Sequence, residues 1–283
     1  MRSPQSGIFA LGTASHAYLE LDGGSAELVT AVASLREPRT TMGGVNLVAG
    51  FRPELWPADA PEGLHGFDEP VGFMPATQHD AVLWLSGASY DVVFDVARAA
   101  IAALAPVATV AEETSSWPYQ HDRDLTGFID GTENPTLVEA PEFVLVPEGE
   151  PGAGGTILLL QKWPHDVTAW ESLSTEEQEA VIGRRKTDSV ELDDKPDDSR
   201  VSKADQDTFG HIFRRNMPYG TVTAHGTMFV GFCNEQRPLA AMLESMAGTP
   251  DALTRYSKPV TGAYYFVPST DSLRAIGSSA TAP

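Results

Sequence analysis

The sequence lacks the residues and segments that mark several large classes of protein. A single cysteine, Cys233, excludes a disulfide framework within one chain and fits a reducing compartment. Only 19 lysines and arginines stand against 39 aspartates and glutamates, and the net charge of −20 repels nucleic acid and anionic membrane surfaces. No apolar run reaches the roughly 18 residues of a membrane span, and no apolar segment follows Arg2 as in a secretory signal. We therefore expect a cytoplasmic protein that binds neither nucleic acid nor membrane.

The 283 residues, of which 42% are hydrophobic, suffice for one large domain or two ordinary ones. In the first half, the apolar pattern predicts strands over 15–21, 45–51, 81–85 and 107–111. Helices are predicted after Gly23-Gly24-Ser25 and, with one clear apolar stripe, over 90–104. The resulting order, β-α-β-β-α-β, is that of a ferredoxin-like unit.

The second half repeats this order less cleanly. The pattern predicts strands over 156–162, 212–216, 227–233 and 263–267, with helices over 174–182 and 238–246. The acidic segment 187–207, which includes a proline, is typical of a solvated surface loop. We therefore predict an α+β protein with two ferredoxin-like units, 1–115 and 116–283, each containing an antiparallel sheet.

The stretch Gly127-Phe128-Ile129-Asp130-Gly131-Thr132-Glu133-Asn134-Pro135 is the most informative in the chain. An apolar pair leads into an Asp-Gly turn, and a second turn follows at Asn134-Pro135, which places Asp130 at a bend. A purely structural interpretation is that the Asp130 carboxylate hydrogen-bonds to its own turn.

A second stretch, Arg214-Arg215-Asn216-Met217-Pro218-Tyr219-Gly220, follows the apolar pair Ile212-Phe213. A strand here turns the Arg214 side chain inward, where a cation requires an anion or a polar ligand, and turns Arg215 outward into solvent. A structural ion pair is the alternative for Arg214. The cations of Ile182-Gly183-Arg184-Arg185-Lys186 suit either a helix C-terminus or a carboxylate ligand.

Together with Lys258-Pro259-Val260-Thr261-Gly262-Ala263-Tyr264-Tyr265, these stretches resemble the dye-decolourising peroxidases, a haem enzyme family, in its compact bacterial class B. The resemblance implies haem b in a pocket mainly in the C-terminal half, hydrogen peroxide and small aromatic reductants as partners, and a homo-oligomer. It assigns catalytic roles to Asp130, Arg214 and Asn216. It assigns haem contacts to Gly131, Thr132, Glu133, Arg184, Arg200 and Arg214, with Arg184 on a propionate.

The chain departs from the family pattern at Arg200. The family places its axial haem ligand, a histidine, in a segment matched here by Asp197-Asp198-Ser199-Arg200-Val201, so the iron ligand is unknown. Guanidinium stays protonated in proteins and has no lone pair for iron. Of the seven histidines, His211 is the nearest in sequence and His225 precedes a strand, and we expect neither below the haem.

Three hypotheses follow. The first is a haem peroxidase that oxidises dyes and other bulky aromatic reductants, with activity reduced or lost through Arg200. The second is a protein that binds or handles haem without peroxidase turnover. The third is a haem-free relative of the fold that acts as a binding module.

Overall fold

In the computed structural model of the chain, residues 2–35 and 44–279 are described, and they form an α+β fold whose strands all pair antiparallel. The strands are β1 (Ser15–Asp22), β2 (Val45–Phe51), β3 (Ala81–Gly87), β4 (Thr109–Ser116), β5 (Thr156–Pro164), β6 (Phe213–Arg214), β7 (Met217–Gly220), β8 (His225–Cys233) and β9 (Ala263–Val267). The helices are α1 (Ala26–Ala33), α2 (Tyr90–Leu104), α3 (Ala140–Val144), α4 (Val167–Glu171), α5 (Thr175–Ile182), α6 (Arg200–Lys203), α7 (Gln206–Phe209), α8 (Arg237–Gly248) and α9 (Thr270–Ser279). Within the described ranges, every helix is too short or too polar to cross a bilayer.

Local signals place most of these elements. Ser25 caps α1 by accepting a hydrogen bond from the backbone N–H of Leu28, and Ser174 with Glu177 forms a capping box on α5. The predicted order β1-α1-β2-β3-α2-β4 is present in the first half, although β4 begins and ends later than predicted. The second half adds short elements that hydrophobic periodicity does not signal.

The sequence analysis expected two separate sheets, but the described strands form a single sheet. They follow the order β5-β9-β2-β3-β1-β4-β7-β8, and β8 pairs again with β5, so the sheet closes into a barrel, with β6 also paired to β8. The two halves meet through Phe51↔Phe266 and Ser116↔Tyr219. Closure satisfies the edge-strand N–H and C=O groups that two open sheets leave unpaired. The domain boundary at 115/116 stays a prediction.

Both faces of β1, β2, β3, β5 and β9 are buried, which explains their continuous apolar runs, whereas alternate residues of β4 are exposed. In β5, Leu158 and Leu160 point into the barrel, whereas Ile157 and Leu159 pack outward in a cluster that includes Met242 of α8. In β8, the alternation puts Met228, Val230 and Phe232 inside. α1 and α2 cover the outer face of the first-half strands.

Two parts of the chain that we expected in solvent differ from that expectation. Segment 187–207 includes α6 and the start of α7, and it buries Ser189, Ser199 and Gln206, although most of its other residues are half-buried or exposed. Arg215, which strand alternation alone predicted to be solvated, is only 4% exposed. Its guanidinium donates to the carbonyl oxygens of Gly7, Ile8 and Ala10, because the face of β6 opposite Arg214 is the barrel interior.

The barrel interior holds a stacked set of polar aromatic side chains. Trp84 stacks on Tyr18 and His16, donates from Nε1 to His16 Nδ1 over 3.1 Å, and lies beneath the Arg215 guanidinium. Burial lowers the pKa of His16 from 6.5 to about 4, and the Arg215 charge acts in the same direction. His16 is therefore neutral in the folded protein at neutral pH.

We predict that His16 makes the fold sensitive to acid. The unfolded chain binds a proton at this position near pH 6.5 and the folded chain only near pH 4, so the stability present above pH 6.5 is lost as pH falls towards 4. Between pH 7 and pH 4.5 this loss is about 2 kcal/mol. His16→Gln keeps an acceptor for Trp84 but has no group that takes up this proton. Its free energy of unfolding, measured with urea, should therefore decrease less between pH 7 and pH 4.5 than that of the parent chain, by the same amount. An unchanged pH dependence in the variant would contradict the assignment.

Candidate active site

A cavity lies on the outer face of the barrel, against β5 and β8 and under α6. We call it the inner cavity. Its lining is part apolar and part charged, and it includes Phe128, Ile129, Trp163, Ile182, Val201, Phe229, Leu253, Asp124, Asp130, Thr132, Glu133, His165, Arg184, Arg200, Arg214 and Asn216. It encloses about 890 Å³ of empty space, its open mouth included.

A second depression, the outer groove, lies beside the inner cavity. Residues 11–14, 118–124, 134–137 and 213–218 contribute most of its lining. Four residues line both spaces: Asp124, Asp130, Arg214 and Asn216. They therefore form the partition between the inner cavity and the outer groove.

Asp130 is held at its bend by backbone hydrogen bonds. Its N–H donates to the carbonyl oxygen of Asp122 over 2.7 Å, and its Oδ1 accepts from the N–H of Gly131 over 2.8 Å. Gly131 has a φ of +71°, and a Cβ there would lie 2.9 Å from Asn134 Nδ2. The structural interpretation of the Asp-Gly turn is thus correct, and the turn also directs the carboxylate at the partition.

The surroundings of Asp130 work against ionisation of its carboxyl. The Asp130 side chain is 27% exposed, and the exposed part faces the two spaces that it separates. Protein atoms surround the rest of the side chain. Burial raises the pKa of Asp130, and the Asp124 carboxylate raises it further. The Arg214 charge, the Gly131 N–H and the Asn216 side chain lower it. The net result is a raised pKa, so the Asp130 carboxyl keeps its proton to a higher pH than a surface aspartate does.

Arg214 is placed by the second turn of the same stretch. The Asn134 side chain accepts from the N–H of Arg214 and donates to its carbonyl oxygen, each over 2.8 Å, and so pairs with β6 as a strand would. The Arg214 Nε lies 3.9 Å from Asp130 Oδ1. It is buried and, among the described residues, has no hydrogen-bond partner. Arg214 points away from the barrel interior into the inner cavity, where it meets the anion that the sequence analysis required, and its ion pair with Asp130 is loose.

Asn216 occupies a break between β6 and β7. Its Oδ1 accepts from the N–H of Val230 over 2.9 Å and so replaces a backbone carbonyl in the ladder with β8. Its amide also hydrogen-bonds to Asp130. The break therefore positions a side-chain amide at the partition.

Arg184 is engaged with carboxylates of the protein itself. Its guanidinium donates to Glu133 in a short ion pair, to Glu191 over 3.3 Å and to the carbonyl oxygen of Ser189 over 2.9 Å. Glu133 and Arg184, which the sequence analysis assigned separately to a ligand, bind each other at the cavity wall. Thr132 also lines the cavity.

Arg200 lies in the cavity floor and is fixed there. Its Nη1 donates to Asp251 Oδ2 over 2.7 Å and lies 2.6 Å from Met246 Sδ, and its guanidinium stacks on the Trp163 ring at 5.1 Å. The Asp251 side chain is completely buried, and it also accepts from the N–H of Thr254. Position 200 therefore presents a guanidinium to the cavity, and the buried Asp251 carboxylate is its ion-pair partner.

The histidines considered in the sequence analysis lie elsewhere. His211 packs against the Phe143 ring, and His225 hydrogen-bonds to the carbonyl oxygen of Thr221. His165 does line the inner cavity. In the part of the chain that the structure describes, no three His, Cys, Asp or Glu side chains are grouped to hold a metal ion.

Sequence reasoning missed Asn134, His165 and Asp251. Asn134 lies within the stretch already singled out and was interpreted only as a turn residue. Asp251 carries a local signal as the cap of the short 3-10 helix Ala252–Arg255, but that signal does not show that it pairs with Arg200. His165 follows a buried strand directly and carries no distinguishing motif.

Comparison with known proteins gives one consistent result. Residues 121–272 match the family described as "Dyp-type peroxidase, C-terminal". The chain is 36% identical to a dye-decolorizing peroxidase of Brevibacterium linens, covering 81% of this chain and 68% of the relative. It is 34% identical to one of Mycolicibacterium paratuberculosis, covering 89% and 79%.

Solved structures agree with these sequence matches. A dye-decolorizing protein from V. cholerae superimposes with a TM-score of 0.85 at 32% identity, over 95% of this chain and 98% of that one. A variant of Rhodococcus jostii DypB in complex with heme gives 0.85 at 32% identity, over 98% of this chain and 100% of that one. The chain belongs to the dye-decolourising peroxidase family.

Proposed function

We propose that this chain is a haem-dependent peroxidase that oxidises dyes and other bulky aromatic reductants with hydrogen peroxide. The observation that carries the proposal is the convergence of Asp130, Arg214 and Asn216 at the partition of the inner cavity. A carboxylate beside a loosely paired cation is the arrangement that peroxide cleavage needs. Self-association and a cytoplasmic location stay predictions.

The three side chains have distinct parts in this proposal. Ionised Asp130 accepts a proton from the near oxygen of peroxide and returns it to the leaving oxygen. The Arg214 guanidinium, whose Nε has a free donor position, stabilises the negative charge that develops as the O–O bond breaks. Val230 fixes Asn216, and the Asn216 side chain holds the Asp130 carboxylate in position relative to a peroxide oxygen or a water molecule.

The lining fits haem in part. Phe229, Leu253 and Ile182 offer apolar contacts, and Thr132 and Glu133 lie along the wall of the inner cavity, whereas Gly131 lines the outer groove. Arg214 supplies a loosely paired cation for a carboxylate, and Arg184 supplies one that already binds Glu133 and Glu191. When bound, haem would supply the iron that takes up peroxide. Position 200 does not fit, because a guanidinium held by Asp251 offers iron no lone pair. We therefore derive no step through the iron.

The same misfit favours a second candidate, a protein that binds haem without peroxidase turnover. Trp163 and Met246 contact the Arg200 guanidinium and hold the Arg200–Asp251 pair in place. The guanidinium therefore needs no external ligand. An absorption spectrum of the purified protein, before and after adding hemin, shows whether haem binds. Peroxide-dependent dye oxidation then separates the two candidates.

We predict that Arg200→His raises haem affinity by at least about tenfold. Mutation of a residue that only hydrogen-bonds to a metal ligand already changes metal affinity by about that factor. An imidazole at this position gains a lone pair for iron, and Asp251 is placed to accept its other N–H. Hemin titration followed at the Soret band measures the affinity, and dye oxidation should rise with it. Arg200→Gln is the control, since it removes the cation without supplying an imidazole. Equal haem content and activity in the parent chain and Arg200→His would refute the prediction.

We also predict that Asp130→Ala or Arg214→Ala, made in the Arg200→His background, slows the reaction with peroxide about 100-fold or more. Stopped-flow mixing with peroxide measures this rate directly. Asp188→Asn, at a surface ion pair with Arg185, serves as the matched loss of a carboxylate and should keep the rate. If neither cavity variant changes the rate, the assignment of the partition residues is wrong.

The electrostatics of Asp130 make a prediction that needs no haem. Arg214→Gln removes the charge that lowers the pKa of Asp130, so this pKa should rise further. Asp124→Asn removes the like charge that raises it, so the pKa should fall. Carboxyl ¹³C chemical shifts followed against pH measure both. Activity that needs ionised Asp130 is lost as pH falls through this pKa, so the acid limit should move up in Arg214→Gln. Shifts in the same direction in both variants would contradict the described geometry.

A further inference from the structure

A second polar cluster in the wall of the inner cavity has no part in the function proposed above. It consists of Asp124, Thr227 and His165, which come from the loop after β4, from β8 and from the residue that follows β5. Thr227 Oγ1 donates to Asp124 Oδ2 over 3.1 Å and lies 3.1 Å from His165 Nε2. The three side chains thus form one continuous hydrogen-bonded row.

The row is fixed at both ends. Asp124 Oδ1 accepts from the N–H of Thr126 over 2.7 Å and from its hydroxyl group. The backbone N–H of His165 donates to the carbonyl oxygen of His225 over 2.9 Å. These bonds hold the Asp124 carboxylate and the backbone of His165 in place, and the contact with Thr227 orients the His165 ring.

The hydrogen bonds assign the tautomer of His165. A threonine hydroxyl has one proton, and Thr227 gives it to Asp124, so Thr227 must accept from His165 Nε2. The neutral ring then carries its lone pair on Nδ1. Burial lowers the pKa of His165 and His225 lowers it further, while Asp124 raises it, which agrees with a neutral ring.

Of the three residues in the row, Asp124 alone reaches the outer groove. Asp124 lines both the outer groove and the inner cavity, whereas Thr227 and His165 line the inner cavity only. The other charged groups facing the inner cavity are Asp130, Glu133, Arg184, Arg200 and Arg214. Among them, Arg184 and Arg200 are bound to carboxylates and Asp130 is assigned to peroxide.

Peroxide reduction consumes protons inside the cavity. Two electrons and two protons convert H2O2 into two molecules of water. Asp130 only redistributes the two protons that peroxide brings, which complete the first water. The second water needs two protons from outside, and a bulky reductant oxidised beyond the cavity releases its protons there rather than inside.

We propose that Asp124, Thr227 and His165 form the proton path from the outer groove to the inner cavity. The inference rests on the proposed peroxidase function. In the loaded state, protonated Asp124 donates to Thr227, the Thr227 hydroxyl points at His165 Nε2, and Nδ1–H faces the cavity. Release of the Nδ1 proton to an oxygen in the cavity moves one proton along each link. The row that results, with Asp124 ionised and His165 protonated on Nε2, is the one in the structure.

The central test compares Thr227→Val with Thr227→Ser in the haem-loaded full chain, as the parent or as Arg200→His. Valine keeps the volume and removes the hydroxyl group, whereas serine restores it. We expect Thr227→Val and His165→Gln to slow the proton-consuming steps at least about tenfold and to change the solvent deuterium isotope effect and the pH profile. Thr227→Ser and the control His211→Gln, whose ring packs on Phe143 away from the cavity, should match the background chain. Equal rates and isotope effects in Thr227→Val and Thr227→Ser would overturn the path.

A second measurement separates this proposal from the peroxidase assignment, because it needs no haem. The Hε1 resonance of His165, identified by its loss in His165→Gln, is followed against pH in the full chain without cofactor. Asp124→Asn should lower the His165 pKa, since Asp124 raises it through the row. An unchanged titration would refute the row itself, whatever the outcome with peroxide. A shifted titration in a chain that never reduces peroxide would refute the peroxidase function and leave the row as a structural element only.

Discussion

The two-residue period of the barrel strands is the constraint on which the site depends. In β8, Met228, Val230 and Phe232 fill the barrel, and Phe229 between them faces the inner cavity. Successive side chains of a strand point to opposite faces, here the barrel interior and the outer surface of the barrel. The same rule sends Arg214 to the cavity and its neighbour Arg215 into the barrel. The cavity exists where α8 and α6 leave part of the outer face uncovered.

The three arginines that line this cavity differ in how closely each is paired with a carboxylate. Arg200 is paired with a fully buried carboxylate, and loss of one partner from such a pair costs about 3–5 kcal/mol. Arg184 is shared between Glu133 and Glu191. Arg214 is held only loosely, with its Nε 3.9 Å from Asp130. The reactive capacity of the cavity therefore lies at Arg214 and Asp130, while Arg200 and Asp251 stabilise its floor.

Much of this arrangement could be predicted from the residues. Hydrophobic periodicity located the long strands and α2, and the Asp-Gly turn located Asp130 at a bend. The prediction failed for Arg215, and it missed the two short helices and the few buried side chains of segment 187–207, because polar composition indicates solvent only when no buried partner exists. The carbonyl oxygens of residues 7, 8 and 10 that bind Arg215 lie about 200 positions away, and no local pattern reports such a contact.

The sequence by itself determined the long strands and the helices α1, α2, α5 and α8, the family, and the unusual residue at position 200. These follow from local propensity and from short motifs, which are readable over a few neighbouring residues. Only the tertiary structure decided that two sets of strands close into one barrel, that Asp251 binds Arg200 and that His165 joins Asp124 through Thr227. Each of these depends on strand edges or side chains brought together from distant segments, and their pairing is set by the packing of the whole chain.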